Sequence, residues 1–196
     1  MGPSPPKQNK EKTVPLLFYQ EEEVVEVAQA LLGKYLFTSF EGQLTGGMII
    51  ETEAYKGAED KACHAYGERK TARTQVMFEP GGVAYIYLCY GIHHLFNIVT
   101  HKEGTPHAVL VRALAPTHGT ETMEKRRKGA KKLTGGPGTL TQALGIQTHH
   151  SGIPLTGNEI WLEDHGAPLG KIIATPRIGI DYAEEHKNLP WRFLLN

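Results

Sequence analysis

The chain has only two cysteines, Cys63 and Cys89, in 196 residues, which excludes a disulfide framework and points to a reducing compartment. It has no apolar run reaching the roughly 18 residues of a membrane helix, so no membrane partner is expected. The N-terminus lacks the apolar core of a secretory signal, and the expected location is the cell interior. Net charge is also missing. Lys plus Arg and Asp plus Glu number 21 each, so no overall field draws the molecule to a polyanion. The GxxxxGK[ST] spacing of a P-loop is absent, and so is the HExxH spacing of a metal site, although the pairs His93-His94 and His149-His150 and the lone His64 are present.

What is there is locally organised. The length fits one domain with one core. Residues 1–13, "MGPSPPKQNKEKT", have nothing to bury and read as a disordered arm or an appended remnant, leaving a single domain over 14–196. Charge is segregated into an acidic block, Glu21 to Glu23, and a basic one, Lys125, Arg126, Arg127, Lys128, Lys131 and Lys132. The basic block reads either as a solvated face or as a patch that grips phosphates.

From Leu17, the apolar positions Val24, Val25, Val27, Ala28, Leu31 and Leu32 predict a first helix closed by Gly33. "GGMIIETEAY" predicts a strand ending near Tyr55, with Ile49, Glu51, Glu53 and Tyr55 on one face. "GVAYIYLCYGIHHLFNIVTH" predicts a hairpin with Tyr90 at or near its tip, and residues 106–114 a further strand. "TETMEKRRKGAKK" begins helical and turns irregular. A Gly-Pro turn then leads into a short helix over about 138–144, whose start either holds a phosphate or is a plain turn. "EIWLED", "KIIATPRIGI" and "WRFLLN" read as strands completing a sheet.

Two carboxylates at i and i+2 on an apolar strand are costly to bury without partners. They mark either a cleft or an exposed strand end. Tyr55, Tyr66, Tyr85, Tyr87 and Tyr90 fall near His64, Arg69 and Arg73, a set that suits a planar aromatic ligand or ordinary strand packing. Packing accounts well for Tyr85 and poorly for Tyr90, a large ring beside Gly91 at a turn.

The segments "ETEAYKGAEDKACHAYGERKTART", "MFEPGGVAYIYLCYGIHHLFNIVT" and "AVLVRALAP", with "GGPGTLTQAL" and "PRIGI", resemble the alkyladenine (3-methyladenine, or methylpurine) DNA glycosylases in order and spacing, from about Leu17 to Phe193. The resemblance implies a single mixed α+β domain: a curved, largely antiparallel sheet, flanking helices and a protruding β-hairpin that enters the DNA minor groove. It implies an enzyme that flips damaged purines out of duplex DNA and hydrolyses the N-glycosidic bond. Glu53 stands at the position of the general base. Arg112 and the main-chain carbonyl at about Ile178 position the attacking water. Tyr55, His64 and Tyr87 enclose the flipped base, Asn97 crowds the amino group of guanine, and Tyr90 is the intercalating wedge. Arg69, Arg73, Arg126, Gly136, Gly138 and Thr139 are expected along the DNA backbone, and Glu51 is expected to support the structure.

No lysine matches a Schiff-base nucleophile, so the implied enzyme is monofunctional and leaves an abasic site. The implied partner is double-stranded DNA containing damaged purines, the implied state a monomer, and no metal or organic cofactor is implied. Thr139 departs from the pattern, standing where relatives carry Lys or Arg, and with the neutral total this predicts weaker phosphate contacts. A module that binds lesions without cleaving would fit that weakness. A carbohydrate glycosidase rests only on the Glu51 and Glu53 spacing, and neighbours on one strand flank a sugar bond badly.

Overall fold

A computed structural model describes residues 8–196. Of the expected arm, residues 1–7 lie outside the described residues. Residues 8–13 run beside the strand at 160–163, where the Asn9 N–H donates to Glu163 at 3.0 Å and Thr13 bridges the same residue.

The predicted first helix is two helices. α1 (Leu16–Gln20) and α2 (Val24–Ala30) are separated by the acidic block, where Glu23 is extended and stands just before α2. In one continuous helix Glu22 and Glu26 would form a like-charge i, i+4 pair, which disfavours running it through the acidic block. Gly33, at φ 81°, ends the segment in a conformation that suits glycine.

Next comes a hairpin that the sequence reading did not resolve. β1 (Tyr35–Phe40) and β2 (Gln43–Tyr55) pair antiparallel through the two-residue loop Glu41-Gly42, both at positive φ. Such a loop matches the right-handed twist of its strands. β3 (Ala84–Cys89) and β4 (His93–Thr100) form the expected second hairpin, and β5 (His107–His118) runs four residues beyond the strand predicted to end at 114. α3 (Thr120–Arg126) and α4 (Pro137–Leu144) follow, then the short strands β6 (Ile160–Glu163), β7 (Ile172–Thr175) and β8 (Arg192–Leu195).

All eight strands join one open sheet in the order β3-β4-β5-β2-β1-β6, with β8 on β2 and β7 on β8. Every pairing is antiparallel. The first half of β2 pairs with β1 and its second half, from Glu51, with β8. The mixed single-domain fold with flanking helices is therefore the one expected.

The principal core lies between this sheet and its helices. Val24, Val27 and Ala28 from α2, Leu31 just after it, and Leu140, Ala143 and Leu144 from α4 pack on Ile49, Ala54, Phe96, Ile98, Val109 and Val111. Burying one such side chain stabilises by about 1.5–3 kcal/mol. The Thr52 hydroxyl, also on this side, donates to Ala28 O at 2.7 Å and ties β2 to α2.

The face predicted for β2 needs a correction. Ile49 does not lie with Glu51, Glu53 and Tyr55, because β2 is bulged: Ile49 faces Leu114 while Glu51 faces the very next residue back, Ala113. The extra residue, Ile50, reverses the alternation. Ile49 thus joins Ala54 in the core, and the carboxylates turn to the opposite face.

Candidate active site

That opposite face is assembled by register. Tyr85 pairs with Asn97, Asn97 with Leu110, and Leu110 with Glu53. Directly opposed residues on neighbouring strands share a face, so β3, β4, β5 and β2 lay four side chains in a row. The row is walled by loops. Residues 56–78 bring Cys63, His64 and Met77, and the segment after β7 brings Ile178, Gly179 and Ile180, enclosing a cavity of about 240 Å³. Tyr55, His64, Tyr87, Tyr90, Asn97, Arg112 and Ile178 all line it. These catalytic, base-binding and intercalating candidates share one cavity, and Glu53, which does not itself line it, lies behind against Tyr55, Arg112 and Ile178.

Glu53 is completely buried, and its carboxylate is held from three directions. The Ile178 N–H donates to Oε1 at 2.8 Å, the Tyr55 hydroxyl donates to Oε2 at 2.8 Å, and Arg112 Nη1 lies 3.3 Å from Oε2. Ile178 thus meets Glu53 through its N–H. Arg112 sits at a second register shift, since Glu51 faces Ala113 and Thr52 faces Val111. The side chain at that shift reaches both acids, with Nε 2.7 Å from Glu51. Burial tends to lower the pKa of Arg112, but Glu53 and Glu51 outweigh it and raise the net value. Glu51 also accepts from Arg192 Nε at 2.6 Å, so its part is to hold two arginines.

Tyr55 is pushed well up in pKa, first by burial and then by the Glu53 charge, which keeps its phenol a donor. The His64 ring lies edge-on to Tyr87 with centroids 4.5 Å apart, and its Nδ1 is 3.0 Å from the Tyr85 hydroxyl. Burial, with help from Arg73 and Arg69, lowers the His64 pKa to about 4. It is neutral at pH 7. Asn97 directs its amide N–H groups to Tyr85 O at 3.1 Å and Leu95 O at 3.3 Å, which fixes its orientation in the wall. Burial raises the Cys63 thiol to about 12, so it supplies no thiolate nucleophile.

Tyr90 stands at the tip of the β3–β4 hairpin at φ 50°, 91% exposed, with Ile92 beside it at 70%. An apolar tip this exposed has no core to enter. Arg69 and Arg73 line a groove adjoining the cavity, and Arg73 also lies over the Tyr87 ring at 4.9 Å.

Of the remaining backbone candidates, Gly136 and Gly138 flank Pro137, which lines the cavity. The Thr139 hydroxyl accepts from the Gly136 N–H at 3.1 Å and closes the first turn of α4. Gly138 touches His93 so closely that a Cβ would come within 2.9 Å of its ring, which seats α4 against the hairpin. Arg126 is half-buried and donates to Ala143 O at 3.1 Å near the end of α4, away from the cavity.

The sequence reading missed the pair that holds the walls together. Arg177 donates to Asp60 at 2.9 Å and to Ala54 O at 2.8 Å, and its guanidinium lies 4.8 Å from the Tyr55 ring. Asp60 in turn accepts the N–H groups of Lys56 and Ala62. Both side chains are inaccessible to solvent, so losing one partner would leave an uncompensated charge. Their only signal was proximity in sequence to Tyr55 and to "PRIGI". Tyr85, read as ordinary packing, also belongs to the site. Among the described residues no group of three or more His, Cys, Asp and Glu side chains is placed to hold a metal ion.

The model of the methylpurine-DNA glycosylase family matches residues 17–196. The chain belongs to that family. A DNA glycosylase is a hydrolase of N-glycosidic bonds with DNA as its substrate, and the buried carboxylate at an aromatic cavity is a fitting site for it. Similar proteins named "Putative 3-methyladenine DNA glycosylase" occur in Chlamydia felis, 51% identical over 93% of this chain and 96% of that protein, and in Chlamydia pneumoniae, 49% identical over 91% and 93%. A relative of the same name from Desulfitobacterium hafniense is 43% identical over 91% of this chain and 92% of its own. No helix among the described residues of this glycosylase is long and apolar enough to cross a membrane.

Proposed function

We propose that the glycosylase acts on alkylated or deaminated purines flipped out of duplex DNA, with Glu53 as the general base for attack by water on C1′. The observation that carries this reading is the fully buried carboxylate, held by the Tyr55 hydroxyl, the Ile178 N–H and Arg112 at the edge of an aromatic cavity. The bond from the water oxygen to C1′ forms as the bond from C1′ to the purine nitrogen breaks. The bonding pair leaves with the purine, and the water proton passes to Glu53. Arg112 and the Ile178 carbonyl hold the water, and the product is an abasic site with the strand intact. The absence of lysine from the described lining supports a monofunctional reaction.

Tyr55, His64 and Tyr87 hold the base. An electron-rich ring attracts a cationic alkylpurine by about 0.5–2 kcal/mol per contact. Asn97, locked by two main-chain carbonyls, crowds the amino group of guanine. Tyr90 fills the gap in the stack, where extrusion costs a few kcal/mol and stacking returns about 1–3 kcal/mol. Arg69, Arg126 and the start of α4 at Gly136, Gly138 and Thr139 follow the DNA backbone, and the enzyme works as a monomer.

The test is release of hypoxanthine from a duplex oligonucleotide under single turnover. Glu53→Gln is expected to keep lesion binding and to lower release by about 10² to 10⁴. Undiminished release by Glu53→Gln would remove Glu53 from the chemistry.

A further inference from the structure

Among the described residues the buried acids around the cavity are matched to arginines, while two arginines of the adjoining groove, Arg69 and Arg73, are in no ion pair, and of these Arg73 touches the cavity wall. Glu53 and Glu51 meet Arg112 and Arg192, and Asp60 meets Arg177. Arg73 meets only neutral groups. Its Nη2 lies 3.1 Å from His64 Nε2 and 3.3 Å from Nδ1, and its guanidinium lies over the Tyr87 ring at 4.9 Å. His64 and Tyr87 are themselves cavity walls. A cation therefore stands directly behind two of the rings that would face a bound purine.

We propose that Arg73 is a specificity-determining residue: by placing an unmatched positive charge on the His64–Tyr87 wall, it favours neutral deaminated purines over cationic alkylpurines. The proposal rests on the function proposed above. It also changes the part expected of Arg73, which the sequence reading set along the DNA backbone.

Two physical effects act in the same direction. First, a ring already polarised by one guanidinium offers less to a second cation, and the two like charges repel through a partly enclosed medium. The depressed basicity of His64, lowered by burial and by Arg73, reflects the same local field. Second, the leaving groups differ. A neutral purine departs with the bonding pair and builds up negative charge, which a nearby guanidinium stabilises. A cationic alkylpurine departs neutral and gains nothing.

Arg73 is exposed, so its substitution is expected to leave the fold intact. The experiment measures single-turnover base release from duplexes carrying one hypoxanthine or one 7-methylguanine, for wild type, Arg73→Met and Arg73→Lys, at two salt concentrations. Arg73→Met is expected to raise the ratio of 7-methylguanine to hypoxanthine release by about three- to tenfold, the effect of one partly screened charge. Arg73→Lys keeps the charge but not the planar group over Tyr87, so its ratio should fall between those of wild type and Arg73→Met.

An equal loss on both substrates with a shallower salt dependence would make Arg73 a phosphate contact and overturn the inference. An unchanged ratio at unchanged rates would overturn it as well. If Arg73→Met is too unstable to assay, Arg73→Gln carries the same expected shift in ratio. Failure of the wild type to release either base would defeat the proposed function itself, and this inference with it.

Discussion

On β5, Val109 and Val111 enter the core shared with α2, while Leu110 and Arg112, one residue out of phase, line the cavity. The same division runs along β4, where Phe96 and Ile98 face the core and Leu95 and Asn97 the cavity. β2 repeats it with Thr52 and Ala54 against Glu53 and Tyr55. A single set of strands thus carries two surfaces of opposite character. The core face is apolar, and its hydroxyls are tied off locally, as Thr52 is to Ala28 O. The cavity face buries charge, which is tolerable only because each acid has its arginine. Stability and chemistry are kept one residue apart, which predicts that they respond separately to substitution.

The largest expected break in that comparison is on the core side. Phe96→Ala should cost about 3–5 kcal/mol in urea unfolding, the usual penalty for a buried aromatic, while base release by the protein still folded stays within a few-fold of wild type. A collapse of release in the folded fraction would mean that the two faces are coupled.

A smaller effect is expected at the hairpin tip, where Tyr90 borders the cavity yet is almost fully exposed. Tyr90→Ala should slow release from duplex DNA by about tenfold or more and spare single-stranded substrate, since only a duplex leaves a gap to fill. Equal losses on both substrates would contradict the wedge.

The mildest effect concerns acid. His64 and His107 titrate near 4 in the folded chain because burial disfavours their charged forms, against 6.5 for a free imidazole. Between those values the unfolded chain binds protons that the folded chain refuses. Stability should therefore hold above about pH 6.5 and decline as the pH falls toward 4, and His107→Asn should flatten the decline. A thermal midpoint constant from pH 7 to pH 5 would contradict this.

Much of the fold was legible because β3, β4 and the end of β2 alternate cleanly and the Tyr90-Gly91 turn interrupts them. The β1–β2 hairpin was not, because Glu41-Gly42 is a weaker turn signal than Asn-Gly and β1 starts only two residues after the helix-closing Gly33. The bulge at Ile50 was invisible for a different reason. A bulge shows itself only when the partner strand is known, and here that partner lies more than 60 residues away. At the site, Glu53, Tyr55, His64 and Tyr87 are clustered in sequence or carried by recognisable motifs. Asp60 and Arg177 meet across 117 residues of chain, and nothing local to either one announces the pairing.

The most direct test of the account combines both responses in one variant. For Glu53→Gln, base release and urea unfolding would be measured on the same preparation. The Ile178 N–H donates to Oε1 and the Tyr55 hydroxyl to Oε2, so the single glutamine oxygen keeps one of them and loses the other; stability should fall by about 1–3 kcal/mol while release falls about 10² to 10⁴. Release at the wild-type rate, or a loss of release no larger than the loss of folded protein explains, would contradict the claim that the cavity face carries the chemistry.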